Sequence, residues 1–557
     1  MWDNVASKWA GGLRDFGPNA RGIGRTGTLC SAMMVAFLLG AAGCTKVGPD
    51  FEPLTAPKSE QWIDEKDGRV KTDQADYTTW WEVFDDPILN RLIDTAYRQN
   101  LDLLTAGLRV LESRAQLGIA IGEQYPQTQE VQGSFTHEKL SKNAPNGAGA
   151  DRNFDNVSVG LDASWEIDFW GRFQRGIESA DSALGSTVAD YDDVIVILTA
   201  EVAATYVQVR EFEERIRLVR RNTELQERAF NLTRQRFRAG VVSELDVQQA
   251  RALLEDTRSF VPQFETDQRQ AENALGTLLG ITPMEIRKIL APDAPIPKAP
   301  KEVAVGVPAD LLRRRPDIRQ AELNAAAQSA RIGVAKADLF PRVSLAGFVG
   351  FQTTGSTDVR SNNAKLSDLF TGDSFVGSFG PSISLPFFNY GRITNNVRVQ
   401  DARFQQLVAD YQNTVLSAYQ EVEDGLVGFL KAQEVAEFLA RSAKASARAV
   451  ELSVIQYREG VSTYIRVLTA QQDLLERQDR LAQAQSLIAQ NLIATYRALG
   501  GGWQSRDANE VVPDNVLEDM RERTDWGGII PPDDLQEAPG SADDVKKIDT
   551  IFRRPDF

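Results

Sequence analysis

The chain has 557 residues, 42% hydrophobic and 25% charged, with a formal net charge of −16, an acidity that argues against nucleic acid as a partner. A single histidine, His137, argues against Ser-His-Asp catalysis and a His-rich metal site. The motifs HExxH, GxxxxGK(S/T), GxSxG and CxxC are absent, so the expectation is a non-enzyme without cofactor or metal.

The first element is a targeting segment over 1–43. Lys8, Arg14, Arg21 and Arg25 make a basic start; Thr26 to Thr45 carries no charge and has an apolar middle, Met33 to Leu39. Gly40-Ala41-Ala42-Gly43 then leads into Cys44, the plan of a secretory signal ending in a small-residue cleavage site. The site resembles the lipobox of bacterial lipoproteins, with Ala41 where leucine is commonest, and makes Cys44 the candidate lipid-attachment residue. Thr45, rather than aspartate, follows the cysteine, which points to the outer membrane. The competing reading is a retained transmembrane helix. Cys30 and Cys44 are the only cysteines, so no disulfide framework holds the body.

The body is written twice. Phe237-Arg-Ala-Gly-Val-Val-Ser243 is matched by Tyr457-Arg-Glu-Gly-Val-Ser-Thr463, and Asp168-Phe-Trp-Gly-Arg172 by Phe388-Asn-Tyr-Gly-Arg392. The predicted units are an N-terminal extended segment 44–84, a first repeat 85–281, a proline-rich extended linker 282–308, a second repeat 309–503, and an acidic tail 504–557 with little packed structure. Each repeat reads helix, strand pair, very long helix, glycine turn, long helix. From Asp155 to Phe169 apolar and polar residues alternate (Val157, Val159, Leu161, Ala163, Trp165, Ile167 against Ser158, Asp162, Ser164, Glu166), and Phe375 onward repeats the pattern. Partner strands are expected near 128–137 and 342–353. Strands of this length with one apolar face suit a transmembrane barrel.

After each pair comes a helix without proline, 172–239 and about 392–459. At 1.5 Å per residue each is roughly 100 Å long, giving hairpins of that length. Val188, Ile195, Val202, Val209 and Ile216 lie seven apart with Tyr191, Leu198, Thr205, Phe212 and Val219 between, a coiled-coil seam. Gly240 and Gly460 close the long helices, Ser243 and Thr463 (or Ser462) cap the returning ones, and Pro262 is expected to kink the first of these. Four strands cannot close a barrel alone, and an open edge cannot face lipid. Closure between chains follows: two copies give eight strands, three give twelve and a passage.

These features resemble the TolC-like outer-membrane factor family, in its OprM/NodT-type lipoprotein branch. The residues that carry the resemblance are Cys44-Thr-Lys-Val-Gly-Pro-Asp-Phe51, Trp80-Trp81, Val307-Pro-Ala-Asp-Leu-Leu-Arg-Arg-Arg-Pro-Asp-Ile318, both Gly-Val turns, and Tyr496-Arg-Ala-Leu-Gly-Gly-Gly-Trp503. The resemblance spans Cys44 to Trp503. It implies a mainly α fold with β: a trimeric 12-stranded transmembrane barrel, four strands per chain, continued by a periplasmic α-helical coiled-coil barrel. It implies a homotrimer in the cell outer membrane, lipid-anchored, with a large periplasmic part. Its partners would be a periplasmic adaptor and an inner-membrane pump of the resistance–nodulation–division class, for which the chain is a passive exit duct for drugs or other small compounds. By the same resemblance the periplasmic gate falls on Asp246, Tyr457, Arg458, Ile465 and Arg466. The adaptor-docking tips fall on Gly240, Val241, Val242 and Ser243, and on Gly460, Val461, Ser462 and Thr463. Acidic residues often stand in the family at the positions of Arg466 and Thr469, so an acidic ring is not expected here. The plain reading of Asp246 is a helix N-terminal acid, and of Tyr457 and Ile465 seam residues. The rival function is a periplasmic adaptor lipoprotein, which would need one hairpin and soluble β-domains.

Overall fold

The computed structural model describes residues 46–57, 59–72, 77–141, 143, 153–290, 294–308, 314–356, 366–505 and 511–530. In chain order its elements are β1 (Val70–Lys71), α1 (Pro87–Gln99), α2 (Leu101–Gly122), β2 (Thr128–Lys139), β3 (Asn153–Ile167), α3 (Arg172–Arg238) and α4 (Glu244–Leu278). There follow α5 (Pro283–Leu290), β4 (Val303–Ala304), α6 (Pro316–Ala337), β5 (Arg342–Ser356), β6 (Phe375–Ser384), α7 (Arg392–Arg458), α8 (Tyr464–Ala498) and α9 (Asp514–Arg523). The duplication extends to lengths: α2 and α6 have 22 residues each, α3 and α7 have 67, and α4 and α8 have 35.

Strands β2, β3, β5 and β6 form one antiparallel sheet in that order. The register carries the alternation across all four strands. Phe135 pairs with Val157, Leu161 with Val131 and Val349, Gly347 with Phe379, and Val343 with Ile383, so one face is mainly apolar, with His137 and Asp155 paired towards its far end. That face is bare in the single chain, with Phe379 78% and Val131 74% exposed. The opposite face carries most of the polar side chains, among them Ser134 Oγ bonded to Ser158 Oγ at 2.7 Å and Gln352 Nε2 donating to Asn156 Oδ1 at 3.1 Å, with Phe348 and Val376 between them. The outer edges of β2 and β6 have no partner strand among the described residues. No described helix is long and apolar enough to cross a membrane.

The helices form a wall of four columns in the same order as the strands above them. α3 packs between α2 and α6 near the sheet and between α4 and α8 away from it; α7 packs on α6 and α8. The columns are therefore α2 over α4, then α3, then α6 over α8, then α7. This corrects the expectation of hairpins roughly 100 Å long. The long arms are continuous, but each returning arm of 35 residues spans only about 50 Å. Its column is completed by a separate helix, and the ends are tied. Asn100 Nδ2 donates to the Leu278 carbonyl at 2.8 Å where α4 meets α2, and Arg315 Nη1 donates to the Ala498 carbonyl at 2.8 Å where α8 meets α6. Around this level lies the main core, including Trp80, Leu89, Leu92, Ile195, Tyr206, Leu275 and Phe429, all at most 1% exposed. Burial of each such side chain is worth about 1.5–3 kcal/mol. Of the predicted seam, Tyr191, Ile195, Leu198, Val202 and Val209 are buried in this core, Phe212, Ile216 and Val219 in a separate cluster with Phe264, and Val188 and Thr205 are half-buried. Helix α4 runs through Pro262 without a break.

Two readings of irregular segments are corrected. The linker 282–308 is not extended throughout. At Thr282-x-x-Glu285 the Glu285 carboxylate accepts from the Thr282 amide and hydroxyl, both at 3.0 Å; Pro283 opens α5, and Ile286 and Leu290 are buried. Val303–Ala304 then pairs parallel with Val70–Lys71. In the tail, Val511, Val512, Met520 and Ile530 are buried, and α9 packs with Leu111 of α2. Gly107 makes the approach feasible, because a Cβ there would lie 2.0 Å from the Val511 carbonyl oxygen. Residues 531–557 lie outside the described residues.

Candidate functional site

The two hairpin tips lie at the far end of the wall from the sheet. Each turn is made by a glycine in the left-handed region, Gly240 at φ 71° and Gly460 at φ 77°. The valines that follow are thrust into solvent, Val241 60% and Val461 80% exposed. Ser243 opens α4 with a capping box. Its Oγ accepts from the Asp246 amide at 3.4 Å, and Asp246 Oδ2 accepts from the Ser243 amide at 3.0 Å and hydroxyl at 2.9 Å. The second tip departs from this plan. Thr463 makes no side-chain cap bond, and the residue equivalent to Asp246 is Arg466, a cation in the first turn where the helix dipole favours an anion.

The structure separates the predicted gate residues into two groups. Tyr457 is 2% exposed, packed between the hairpins in a cluster with Ala229, Ala250, Tyr464 and Val467. It faces neither solvent nor a passage. Asp246 is engaged by Ser243, and within the chain it does not pair with Arg458 or Tyr457. Ile465 is 48% exposed, and it lines a groove between α7 and α8 with Arg466, Thr469, Ser446 and Ala449. Arg458 and Arg466 are exposed, and neither makes an ion pair with the described residues. One tip residue escaped the sequence reading: Arg236, whose Nη1 donates to the carbonyls of Tyr457 and Arg458. Its only signal was its place directly before the duplicated Phe/Tyr-Arg-x-Gly turn.

A second constellation sits at the neck, where strands become helices. Cys44 itself lies outside the described residues, but the chain just after it is pinned here. The Val47 amide donates to the Trp170 carbonyl at 3.0 Å, and Lys46 pairs with Glu178. Arg175, 3% exposed, donates from Nε to the Val47 carbonyl at 3.1 Å, from Nη2 to the Gly48 carbonyl at 3.2 Å and Asp50 at 2.9 Å, and from Nη1 to Glu178 at 2.8 Å. The Arg175 guanidinium holds the Asp50 carboxyl below its ordinary range. Gly48 lies against α6, where a Cβ would stand 2.5 Å from the Gly333 Cα. Trp170 stacks on Phe340 with ring centroids 4.6 Å apart, and its Nε1 donates to the Pro341 carbonyl at 2.8 Å, joining the halves of the duplication at the same level.

A third cluster lies between α3, α6, α7 and α8. Arg315 donates to Asp317 at 2.7 Å and to Glu421 at 2.7 Å, beside Asp193 and Arg497. Burial, aided by the Asp317 charge and opposed by Arg315, pushes the Asp193 carboxyl up to about 6. Among the described residues no group of three or more His, Cys, Asp or Glu is placed to hold a metal ion.

Comparison with known proteins gives a consistent result. The family described as "Outer membrane efflux protein" matches residues 92–281 and 307–501. The chain is 31% identical over 478 residues to the pyoverdine export outer membrane protein OpmQ of Pseudomonas aeruginosa, covering 85% of this chain and 97% of that protein. It is 32% identical over 498 residues to the probable efflux pump outer membrane protein TtgC of Pseudomonas putida, covering 87% and 98%. Its fold is similar to the solved outer-membrane channel OprN, with a TM-score of 0.76 and 34% identity over 82% of this chain and 99% of that one.

Proposed function

The chain belongs to the outer membrane efflux protein family, and from that premise we propose that three copies close a twelve-stranded barrel continued by a tunnel of helices. It is the outer-membrane channel component of an efflux system, located in the outer membrane with a large periplasmic part. One observation supports closure between copies. Sheet and helix wall run in the same order and end on the same two open flanks, β2 with α2 and α4 on one side, β6 with α7 on the other. A lone open sheet with one apolar face is unstable in lipid, and copies joined edge to edge remove every edge. Two hairpins and one four-stranded sheet also differ from the adaptor alternative, which has a single hairpin.

Roles follow from position. Cys44, two residues before the pinned Lys46, carries the lipid at the membrane surface beside the neck. The tips Gly240–Ser243 and Gly460–Thr463 dock a periplasmic adaptor, and an inner-membrane pump of the resistance–nodulation–division class supplies the energy. Ile465, Arg458 and Arg466 bound the periplasmic opening. Asp246 and Tyr457 act there through the tip fold, and polar gate links to Asp246 run between protomers. The cargo is drugs or other small compounds, in keeping with the pyoverdine export and efflux pump roles in the names of the relatives. Mass measurement of the detergent-extracted particle tests closure: three chains per particle are expected, and a monodisperse monomer or dimer would overturn it.

A further inference from the structure

Inside the chain the first repeat meets the second along α3 and α6, which run antiparallel, and three bonds set their register. Arg331 Nε donates to Ser179 Oγ at 3.2 Å, Ser186 Oγ to Asn324 Oδ1 at 2.8 Å and Gln320 Nε2 to Asp190 Oδ1 at 2.8 Å. The same register sets Ala183 level with Ala327, and the stack of Trp170 on Phe340 continues it to the neck. The counterpart of α3 is α7, 220 positions on, where Gly391 repeats the left-handed N-cap of Gly171. The counterpart of α6 is α2, 215 positions earlier and equally 22 residues long. Helices α7 and α2 end the wall on opposite flanks, so the second copy of this seam is left open in a single chain.

The two open flanks carry charge where the closed seam has alanine. In the places of Ala183, Ser186 and Asp190, α7 presents Arg403, Gln406 and Asp410; in the places of Gln320, Asn324 and Ala327, α2 presents Thr105, Arg109 and Glu112. Steps of three and four residues put each set on one helix face. All six are exposed, and the four charged ones make no ion pair among the described residues. Carried over to a second copy, the register sets Arg403 level with Glu112 and Asp410 one turn from Arg109, opposite charges in both cases. At the neck the same holds for rings: Tyr390 stands in the place of Trp170 and is 98% exposed, and Tyr125 stands in the place of Phe340. We propose that the seam between copies repeats the register of the seam within the chain, joined by ion pairs from Arg403 to Glu112 and from Asp410 to Arg109 of the next copy, and by Tyr390 stacked on its Tyr125. The inference rests on the closed-trimer reading above and supplies its contacts.

The test introduces Arg403→Cys and Glu112→Cys together and treats outer membranes with a short bis-maleimide. Covalent dimers and trimers are expected on denaturing gels, and neither variant alone should give them. Ala183→Cys with Ala327→Cys serves as the template and should link within one chain, with no gain in mass. Stronger linking of Arg403→Cys to Gln116→Cys, one turn away on α2, overturns the register. A second arm reads the pair through its charge. Arg403→Glu sets like charges against each other and should lower the temperature at which the trimer dissociates on gels, and Glu112→Arg should do the same. The two together restore an opposite pair and should bring the temperature back to that of wild type. A double variant no more stable than the weaker single one overturns the ion pair, because a loss of helix structure alone would not be repaired by the swap. Particles of three chains that show neither the cross-link nor the rescue overturn the proposed seam and leave the trimer standing. A wild-type particle that holds a single chain would remove the trimer reading itself.

Discussion

Replacing Arg175 by methionine should free the segment that follows Cys44. Four bonds from this one guanidinium hold residues 47–50 and Glu178. The carboxylates of Asp50 and Glu178 are 81% and 39% exposed and regain water when released, so they count for little. The bonds to the Val47 and Gly48 carbonyls have a buried cationic donor, and together they are worth about 2–3 kcal/mol. Methionine keeps the stem against Gly333, so the loss is confined to the segment. Since each 1.4 kcal/mol is tenfold, the open population should rise about 30- to 150-fold. Trypsin reads that population, because Lys46 lies inside the pinned stretch and cleavage there requires local opening. The assay follows release of a palmitate-labelled amino-terminal fragment from purified trimer. Cutting at equal rates in wild type and Arg175→Met would show that the segment is not docked at the neck, and the reasoning would fail.

Other consequences are equally direct. Cys44→Ser should abolish palmitate labelling while the protein still inserts, since strands rather than lipid cross the membrane; undiminished labelling would place the lipid elsewhere. Gly240→Trp and Gly460→Trp should leave trimers in the outer membrane but abolish drug resistance, because both turns are exposed and need positive φ; normal export would exclude docking at the tips. Asp193 should make stability depend on pH. Its carboxyl titrates near 6 when folded against 3.8 ordinarily, so the folded state holds the proton more tightly, and stability falls as pH rises through that window and stays low above it. Asp193→Asn should therefore raise the melting temperature at pH 8 by roughly 1–3 °C and leave it unchanged at pH 4. An equal shift at both values would show that the charge is not the cause.

Much of this architecture was open to inspection in the sequence, because it rests on local periodicity. Alternation located β3 and β6, the need for a partner to each located β2 and β5, and the run from Arg172 without proline ended at Gly240 as expected. Contacts between distant segments left weaker traces. That α4 and α8 reach only halfway follows from the glycines at 280 and 500, yet nothing local says that α2 and α6 stack on their ends. The tail looked polar because its buried residues, Val511, Val512, Met520 and Ile530, are sparse, and because their receiver is a glycine in the middle of a helix, Gly107. At the tips the turn glycines were plain, whereas Asp246 and Tyr457 were assigned to a gate by resemblance. The capping box and the Arg236 contact give them closer partners. Arg175 and Arg236 look like any other arginine on a charged helix; only the backbone carbonyls that they reach distinguish them.

The central claim is a duct, and single-channel recording tests it most directly. Purified protein from the outer membrane, added to a planar bilayer at low salt, should give discrete conductance steps of uniform size that are larger in Ile465→Ala, where the opening loses apolar bulk. Reconstituted trimer that passes no current, in wild type and in Ile465→Ala alike, would contradict the account.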